Sequence, residues 1–201
     1  MQTFLHVGCG QNRKDQTTSG FAKENWKELR FDINESVEPD YVGTMTDMSA
    51  VETSSMDAVY SSHNIEHVYA HEVPKVLAEF KRVLRPDGFA VITCPDIQAI
   101  CALVAEGKLT EQAYLSPAGP ITPHDILYGH GASIAGGNLF MAHRCGFTQK
   151  VLANLLEASG FGSLATAKRP GPCFDLWAIG CCGKTSKESL QGLAQDHFPS
   201  G

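Results

Sequence analysis

The sequence has 201 residues, of which 43% are hydrophobic and 19% charged, and it carries a net charge of −6. This length and composition indicate one globular domain with a substantial core. The acidic balance argues against binding to long nucleic acid, which requires a basic surface to neutralise the phosphates.

The cysteines and the lengths of the apolar runs indicate the cellular compartment of the protein. Its seven cysteines include no CxxC pair and no metal-binding spacing, so we expect reduced thiols. No apolar run reaches the roughly 18 residues that a membrane span requires. The amino terminus also lacks the charged and apolar regions of a signal peptide. We therefore expect a soluble, cytoplasmic protein.

The first predicted strand runs directly into a glycine turn. Residues 4–7 are strand-like and apolar, and residues 8–10 read Gly-Cys-Gly. Such a turn lets backbone amides approach a ligand at the carboxyl end of a parallel strand. A dinucleotide site would add a third glycine and a helix. Here Asn12 and Arg13 stand at that position and the stretch 11–26 is polar and aperiodic, which argues against NAD.

Three further strands are predicted before the first helix, over residues 28–33, 41–42 and 57–61. Asp32 ends the second strand, where an acidic side chain can accept hydrogen bonds from ribose hydroxyls. Asp47 follows the third strand and is expected beside the same ligand-binding edge of the sheet.

The clearest predicted helix covers residues 71–84, and a buried strand over residues 89–94 follows it. The apolar residues of the helix recur at spacings of three and four, so they lie on one face. They are Val73, Val76, Leu77, Phe80, Val83 and Leu84. The strand is uninterruptedly apolar, as in sheets that are covered on both faces. Strands that alternate with helices predict a parallel sheet.

Residues 96–147 interrupt this alternation with prolines, glycines and irregularly spaced histidines. A loop of this length inside a compact domain is unusual unless it is functional. We therefore predict a partly helical insertion that covers the active site. Its polar cluster includes His124, His130 and His143, of which one is expected to act as a general base or substrate anchor.

Regular structure is predicted to return after the insertion. An amphipathic helix over 148–159 precedes two strands over 163–167 and 174–181. Residues 184–201 are polar and are predicted to form a loose tail. The sequence thus predicts a single α/β domain over 1–183.

Five of these segments, in this order, resemble the class I, Rossmann-like S-adenosylmethionine-dependent methyltransferases, in particular the small type-11-like group. The segments are FLHVGCG, LRFDI, TMTDM, the long block MDAVYSSHNIEHVYAHEVPKVLAEFKRVLRPDGFAVITCPD, and GFTQKVLANLLEASGF. The resemblance covers most of residues 3–96 and 144–183. It implies a three-layer sandwich around a mostly parallel seven-stranded sheet, with the insertion after the fifth strand.

The resemblance also implies positions for S-adenosylmethionine. The glycine turn would line its methionine part, Asp32 with Ile33 would hold the ribose, Asp47 and Met48 would flank the adenine, and Ser62 and His63 would lie beside the sulfonium. The implied cofactor-binding residues are therefore Gly8, Cys9, Gly10, Asp32, Ile33, Asp47, Met48, Ser62 and His63. The missing third glycine and the absence of a helix before the first strand depart from the family pattern.

Residues 63–67 read H-x-x-E-H, a spacing found in one group of zinc proteases. That site requires the motif inside a helix, so that both histidines face one ion, and a further carboxylate ligand. Here the motif directly follows a predicted strand. We therefore expect no metal ion.

The predicted activity is methyl transfer to a small-molecule, sugar-like or lipid-linked acceptor, with His63, His124, His130 and His143 as candidate bases. Two alternatives remain open at this stage. One is a relative that binds the cofactor or a partner without turnover, and the other is an NAD-dependent oxidoreductase. The cofactor edge left uncovered by the missing amino-terminal helix leaves room for a homodimer.

Overall fold

The computed structural model describes residues 1–169 and 171–199 and contains nine strands and six α-helices within them. The strands are β1 Gln2–Val7, β2 Trp26–Asp32, β3 Tyr41–Val42, β4 Met56–Ser62, β5 Leu84–Pro95, β6 Tyr114–Ser116, β7 Gly119–Ile121, β8 Ser163–Arg169 and β9 Asp175–Cys181. The helices are α1 Val73–Val83, α2 Ile97–Ala105, α3 Pro123–Tyr128, α4 Gly131–Ala135, α5 Gln149–Ala158 and α6 Lys187–His197.

Seven strands form one sheet in the order β3-β2-β1-β4-β5-β9-β8. The strands β1 to β5 pair with one another in parallel, whereas β9 runs antiparallel to both β5 and β8. The predicted mostly parallel, seven-stranded sheet is confirmed. The parallel half brings the carboxyl ends of β1, β2 and β4 to one edge, where open α/β sheets bind ligands.

One face of the sheet is covered by α1 and α5. Leu5 and Val7 of β1 point to this face, where they join a core with Val76 and Phe80 of α1 and Leu152 of α5. The predicted helices over 71–84 and 148–159 are confirmed in type and position. Their buried apolar stripes explain why they dock here, since burial of each large apolar side chain contributes about 1.5–3 kcal/mol.

The opposite face has a different cover. Phe4, which alternates with Leu5 along β1, packs with Phe21 from the segment between β1 and β2 and with Trp26, the first residue of β2. That segment contains only a short 3₁₀ turn at Lys14–Gln16, in agreement with the expectation that no α-helix follows the glycine turn. Aromatic side chains thus occupy the layer that a helix would otherwise fill.

The carboxyl-terminal segment corrects the prediction of a loose tail. Lys187–His197 is the helix α6, whose Leu190 and Leu193 pack against the same aromatic cluster. Ser186 caps its first turn by accepting a hydrogen bond from the backbone N–H of Ser189. Ser200 and Gly201, the end of the predicted tail, lie outside the described residues. Within the residues that are described, none of the helices is long and apolar enough to cross a membrane.

The insertion after β5 is partly helical, as predicted, and has a small core of its own. It contains α2, the hairpin of β6 and β7, α3 and α4. Ile100, Ile121 and Ile126 from three of these elements are buried together. The chain then returns to the main sheet through Phe147, whose backbone carbonyl accepts a hydrogen bond from Ile97 N–H.

Candidate functional site

A cleft of about 490 Å³ lies at the carboxyl ends of β1 and β2. Its volume falls in the range of typical small-molecule sites. From the sheet edge it is lined by Gly8, Gly10, Asp32, Ile33 and His63 of the predicted set. The insertion adds Asn138, Phe140, Met141 and Arg144 to the lining.

The glycine turn forms the floor of the cleft in a conformation that favours glycine. Gly8 has a φ of +68° and Gly10 a φ of +51°, both in the left-handed region. A Cβ at Gly8 would lie 2.3 Å from the side chain of Asn64, whereas a Cβ at Gly10 would meet nothing within 4 Å. Cys9 is different, because its side chain is buried rather than in the cleft lining, and burial raises the pKa of its thiol to about 11. Only its backbone belongs to the turn.

Asp32 connects the ends of β1 and β2. Its Oδ2 accepts a hydrogen bond of 2.8 Å from Gly10 N–H, and its Oδ1 accepts one of 2.8 Å from Asn34 N–H. The buried guanidinium of Arg30 donates to the carbonyl of Gly10 and to that of Val37. The sequence analysis missed Arg30. The one indication in the sequence was its position, since it is a cation between the apolar residues Leu29 and Phe31 of β2. Together these groups fix the turn and leave Asp32 facing the cleft.

Asp47 and Met48 do not line the cleft where the adenine is predicted. Met48 is fully buried in the core, and the exposed carboxylate of Asp47 accepts a hydrogen bond from Ser49 N–H, which lowers its pKa. Thr44 and Met45 line the cleft instead. An antiparallel bridge between Thr44 and Asp47 explains the offset, because it folds the segment back and turns Asp47 outward.

Ser62 and His63 lie at the end of β4 but point to different places. The Ser62 hydroxyl bonds to that of Thr93 at 2.8 Å and lines a separate cavity with Trp177. His63 has a φ of +48° and borders the cleft, this separate cavity and a third cavity next to the insertion. A non-glycine residue in this conformation is uncommon and often functional.

Two buried carboxylates flank the imidazole of His63. Its Nδ1 lies 3.6 Å from Glu66 Oε1 and its Nε2 lies 3.8 Å from Asp175 Oδ2. Burial lowers the pKa of His63, but the interactions with Asp175 and Glu66 outweigh this effect and raise it to about 9. These interactions favour the protonated imidazole of His63, which suits a hydrogen-bond donor better than a base.

The third cavity, of about 190 Å³, contains His63, His130 and His143 of the four candidate histidines. It shares His63 with the cleft, as well as His67 and Met141. Nδ1 of His130 lies 2.8 Å from the Ser133 hydroxyl, and burial lowers the pKa of His143. His124 is exposed on α3 and does not line this cavity or the cleft.

Glu66 and His67 were not singled out as site residues, although they stand in the H-x-x-E-H motif. Ile65–His67 form a single 3₁₀ turn after β4 rather than a long helix, as expected. Glu66 is 1% exposed, and neither of its oxygens has a hydrogen-bond partner among the described residues. Burial raises the pKa of its carboxyl, but the neighbouring His63, His67 and His143 lower it overall. The signal in the sequence was an acidic residue beside a buried strand end.

Comparisons with known proteins identify the fold and a family match over part of the chain. Residues 5–92 match the family described as Methyltransferase domain, and no curated protein matches the chain significantly. A solved S-adenosylmethionine-dependent methyltransferase from Methanosarcina mazei is 16% identical, with coverage of 91% of this chain and 93% of that chain and a TM-score of 0.59.

Two further solved structures share the fold at low identity. A 1,6-didemethyltoxoflavin-N1-methyltransferase from Burkholderia thailandensis, with bound S-adenosylhomocysteine, is 16% identical, with coverage of 92% of this chain and 71% of that chain and a TM-score of 0.57. The citrinin polyketide synthase CMeT domain is 11% identical over 92% of this chain, which spans 47% of the length of that one, at a TM-score of 0.54. The chain therefore shares its fold with solved S-adenosylmethionine-dependent methyltransferases, and its residues 5–92 match the methyltransferase-domain family.

Proposed function

We propose that the protein transfers a methyl group from S-adenosylmethionine, bound in the cleft, to a small-molecule, sugar-like or lipid-linked acceptor in the adjoining cavity. The observation that carries this proposal is the pairing of the glycine turn with Asp32 across the carboxyl ends of β1 and β2. The turn offers backbone groups to the methionine part of the cofactor. Asp32 retains acceptor capacity for ribose hydroxyls, because a carboxylate has about four lone-pair positions and two are used.

The remaining cofactor contacts are assigned by what lines the cleft. Thr44 and Met45 take the adenine-flanking role that was predicted for Asp47 and Met48. Ile33 supplies apolar surface next to Asp32. The absence of an α-helix between β1 and β2 favours S-adenosylmethionine over NAD, since a pyrophosphate requires the free amides and dipole of a helix amino terminus.

The acceptor is assigned to the cavity of about 190 Å³, which meets the cleft at His63 and His67. The sulfonium is an activated methyl donor, so the protein has to align acceptor, methyl carbon and sulfur. A hydroxyl or ammonium acceptor must also lose a proton. His130 is the candidate base, because its ring lines this cavity and forms no ion pair with a described carboxylate, unlike His63.

The two carboxylates first predicted for the cofactor provide a matched test of the cleft. We expect Asp32→Asn to weaken S-adenosylhomocysteine binding roughly tenfold or more, because hydrogen bonds to a charged group contribute about 1.5–3 kcal/mol. Asp47→Asn should leave binding unchanged, since Asp47 faces solvent. Isothermal titration calorimetry measures both, with melting temperatures as a check on folding. Equal affinities for the two variants would contradict the cofactor assignment.

Turnover is tested separately from binding. A panel of hydroxyl and amine acceptors is incubated with S-adenosylmethionine, and formation of S-adenosylhomocysteine is measured for the wild type, His130→Gln and His124→Gln. We expect only His130→Gln to lose activity. Cofactor binding without turnover on any acceptor would support the alternative of a non-catalytic relative. The homodimer stays a prediction, for which sedimentation velocity is the measurement.

A further inference from the structure

The carboxylate of Glu66 is buried without a hydrogen-bond partner among the described residues. Only 1% of its surface is exposed, and both oxygens lack a donor. A buried carboxylate without such partners is costly, so it requires a compensating cation. The nearest ring nitrogens, of His63 and His143, lie 3.6 and 3.9 Å from Oε1, which is beyond hydrogen-bonding distance. Charge can be balanced at these distances, but the oxygens still lack bonds.

Two histidines near Glu66 each have one ring nitrogen hydrogen-bonded to a backbone carbonyl. Nδ1 of His67 lies 3.1 Å from the carbonyl oxygen of Ala142, and Nδ1 of His143 lies 2.8 Å from that of Ile126. A carbonyl oxygen only accepts, so each Nδ1 must carry the proton. The neutral ring then has a free lone pair on Nε2. Metal-binding histidines are commonly held in this way by a backbone carbonyl.

These three side chains converge on one point. Glu66, His67 and His143 each offer a ligand atom, and the three atoms lie within 4.8 Å of one another. An ion between them would bond imidazole nitrogen and carboxylate oxygen at about 2.0–2.2 Å, so its binding would draw the three atoms closer together. His143 comes from the end of the insertion and not from the H-x-x-E-H motif. The set therefore differs from that of a zinc-protease helix, which would use His63 and His67.

We propose that Glu66, His67 and His143 form a binding site for a divalent transition-metal ion, with Zn²⁺ as the ion that suits two imidazoles and one carboxylate. Three protein ligands leave a coordination position open, as in catalytic rather than structural zinc sites. All three residues line the cavity of about 190 Å³, so a small molecule in that cavity would be next to the ion. The ion supplies a bond to one of the two buried oxygens of Glu66 and balances the charge of the carboxylate. This proposal does not depend on methyl transfer.

The test uses tag-free protein that has been treated with a chelator and exchanged into metal-free buffer. Titration with Zn²⁺ should give one equivalent bound, and the ion should raise the melting temperature because it binds the native state. Glu66→Gln and His143→Gln should each weaken binding roughly tenfold or more. His71→Gln, which removes an exposed histidine outside the cluster, should bind like the wild type. Unchanged binding in both ligand variants would overturn the proposal.

Co²⁺ provides a readout on the wild type alone, in case a variant fails to fold. Co²⁺ bound by nitrogen and oxygen ligands in a site of low symmetry should give visible absorption bands at one equivalent. An additional strong near-ultraviolet band from sulfur ligands would mean that the ion binds cysteine, and it would overturn the assignment. Absence of stoichiometric Co²⁺ and Zn²⁺ binding would overturn it as well.

Discussion

Gly8 and Gly10 share a left-handed backbone but differ in what surrounds them. A side chain at Gly8 would collide with Asn64, while Gly10 borders open space. Asn64 follows β4, so the contact joins the ends of two parallel strands under the cleft. The absence of a side chain at Gly8 therefore serves the close approach of these strand ends as well as the turn itself.

We expect Gly8→Ala to reduce both stability and cofactor affinity. The left-handed conformation alone costs a non-glycine residue roughly 1–2 kcal/mol, and displacement of Asn64 adds to this. Gly107→Ala is the matched control, because Gly107 has a φ of +82° and open space but lies after α2, away from the cleft. It should lose stability by about the backbone cost and bind S-adenosylhomocysteine normally. Similar affinity losses in both variants would contradict this interpretation.

At the residue scale, the two carboxylates predicted to bind the cofactor differ in where they lie. Asp32 was placed in the cleft because it ends a strand, and alternation along a strand fixes the side on which each residue lies. Asp47 was placed by proximity alone, and the bridge between Thr44 and Asp47 directs it to solvent. No periodicity governs a turn of this kind. The same holds for His124, which the insertion leaves exposed while His130 enters a cavity.

At the scale of elements, α6 is a helix that the sequence analysis missed. Its apolar residues, Leu190 and Leu193, are few, and Gly192 interrupts them in a polar context. The amphipathicity is weak here, so the position of the helix depends on the aromatic cluster against which it packs. By contrast, α1 was predicted because five apolar residues repeat along one face and become buried. A sequence pattern therefore predicts an element such as α1, whose own residues carry the periodicity, but not one that depends on its packing partner.

Gly192→Ala distinguishes a helix from a loose tail. Gly192 lies inside α6, and an added Cβ would meet nothing within 4 Å. Alanine is favoured over glycine inside a helix by roughly 0.5–1 kcal/mol, so we expect the variant to be more stable by about that amount. Urea denaturation measures the free energy of unfolding. Ser189→Gly, in the first turn of the same helix, should shift it in the opposite direction. No change in either variant would contradict a packed helix.

At the scale of the whole molecule, residues 18–21 contact residues 196–197 on one face of the sheet. The hydroxyl of Thr18 lies 2.7 Å from Nδ1 of His197, and Gly20 N–H donates to the carbonyl of Asp196. The imidazole of His197 also packs on Phe21, with ring centroids 4.3 Å apart. The sequence predicted the sheet, because strand periodicity is local. It could not predict this contact, because neither segment has a pattern that specifies its partner.

Because His197 is buried in this contact, we expect its titration to weaken the fold in acid. Burial lowers the pKa of His197 from 6.5 to about 4, so the unfolded chain binds its proton first as the pH falls. The contribution of neutral His197 to the free energy of unfolding is fully present above pH 6.5. It declines as the pH falls from 6.5 to 4, and it changes no further below pH 4. The loss between about pH 7.5 and about pH 5 should be on the order of 2 kcal/mol. Urea denaturation at the two pH values measures it, with His197→Gln expected to lose less than the wild type and His71→Gln to lose as much. If His197→Gln loses as much of its free energy of unfolding as the wild type does, the acid sensitivity belongs to other groups.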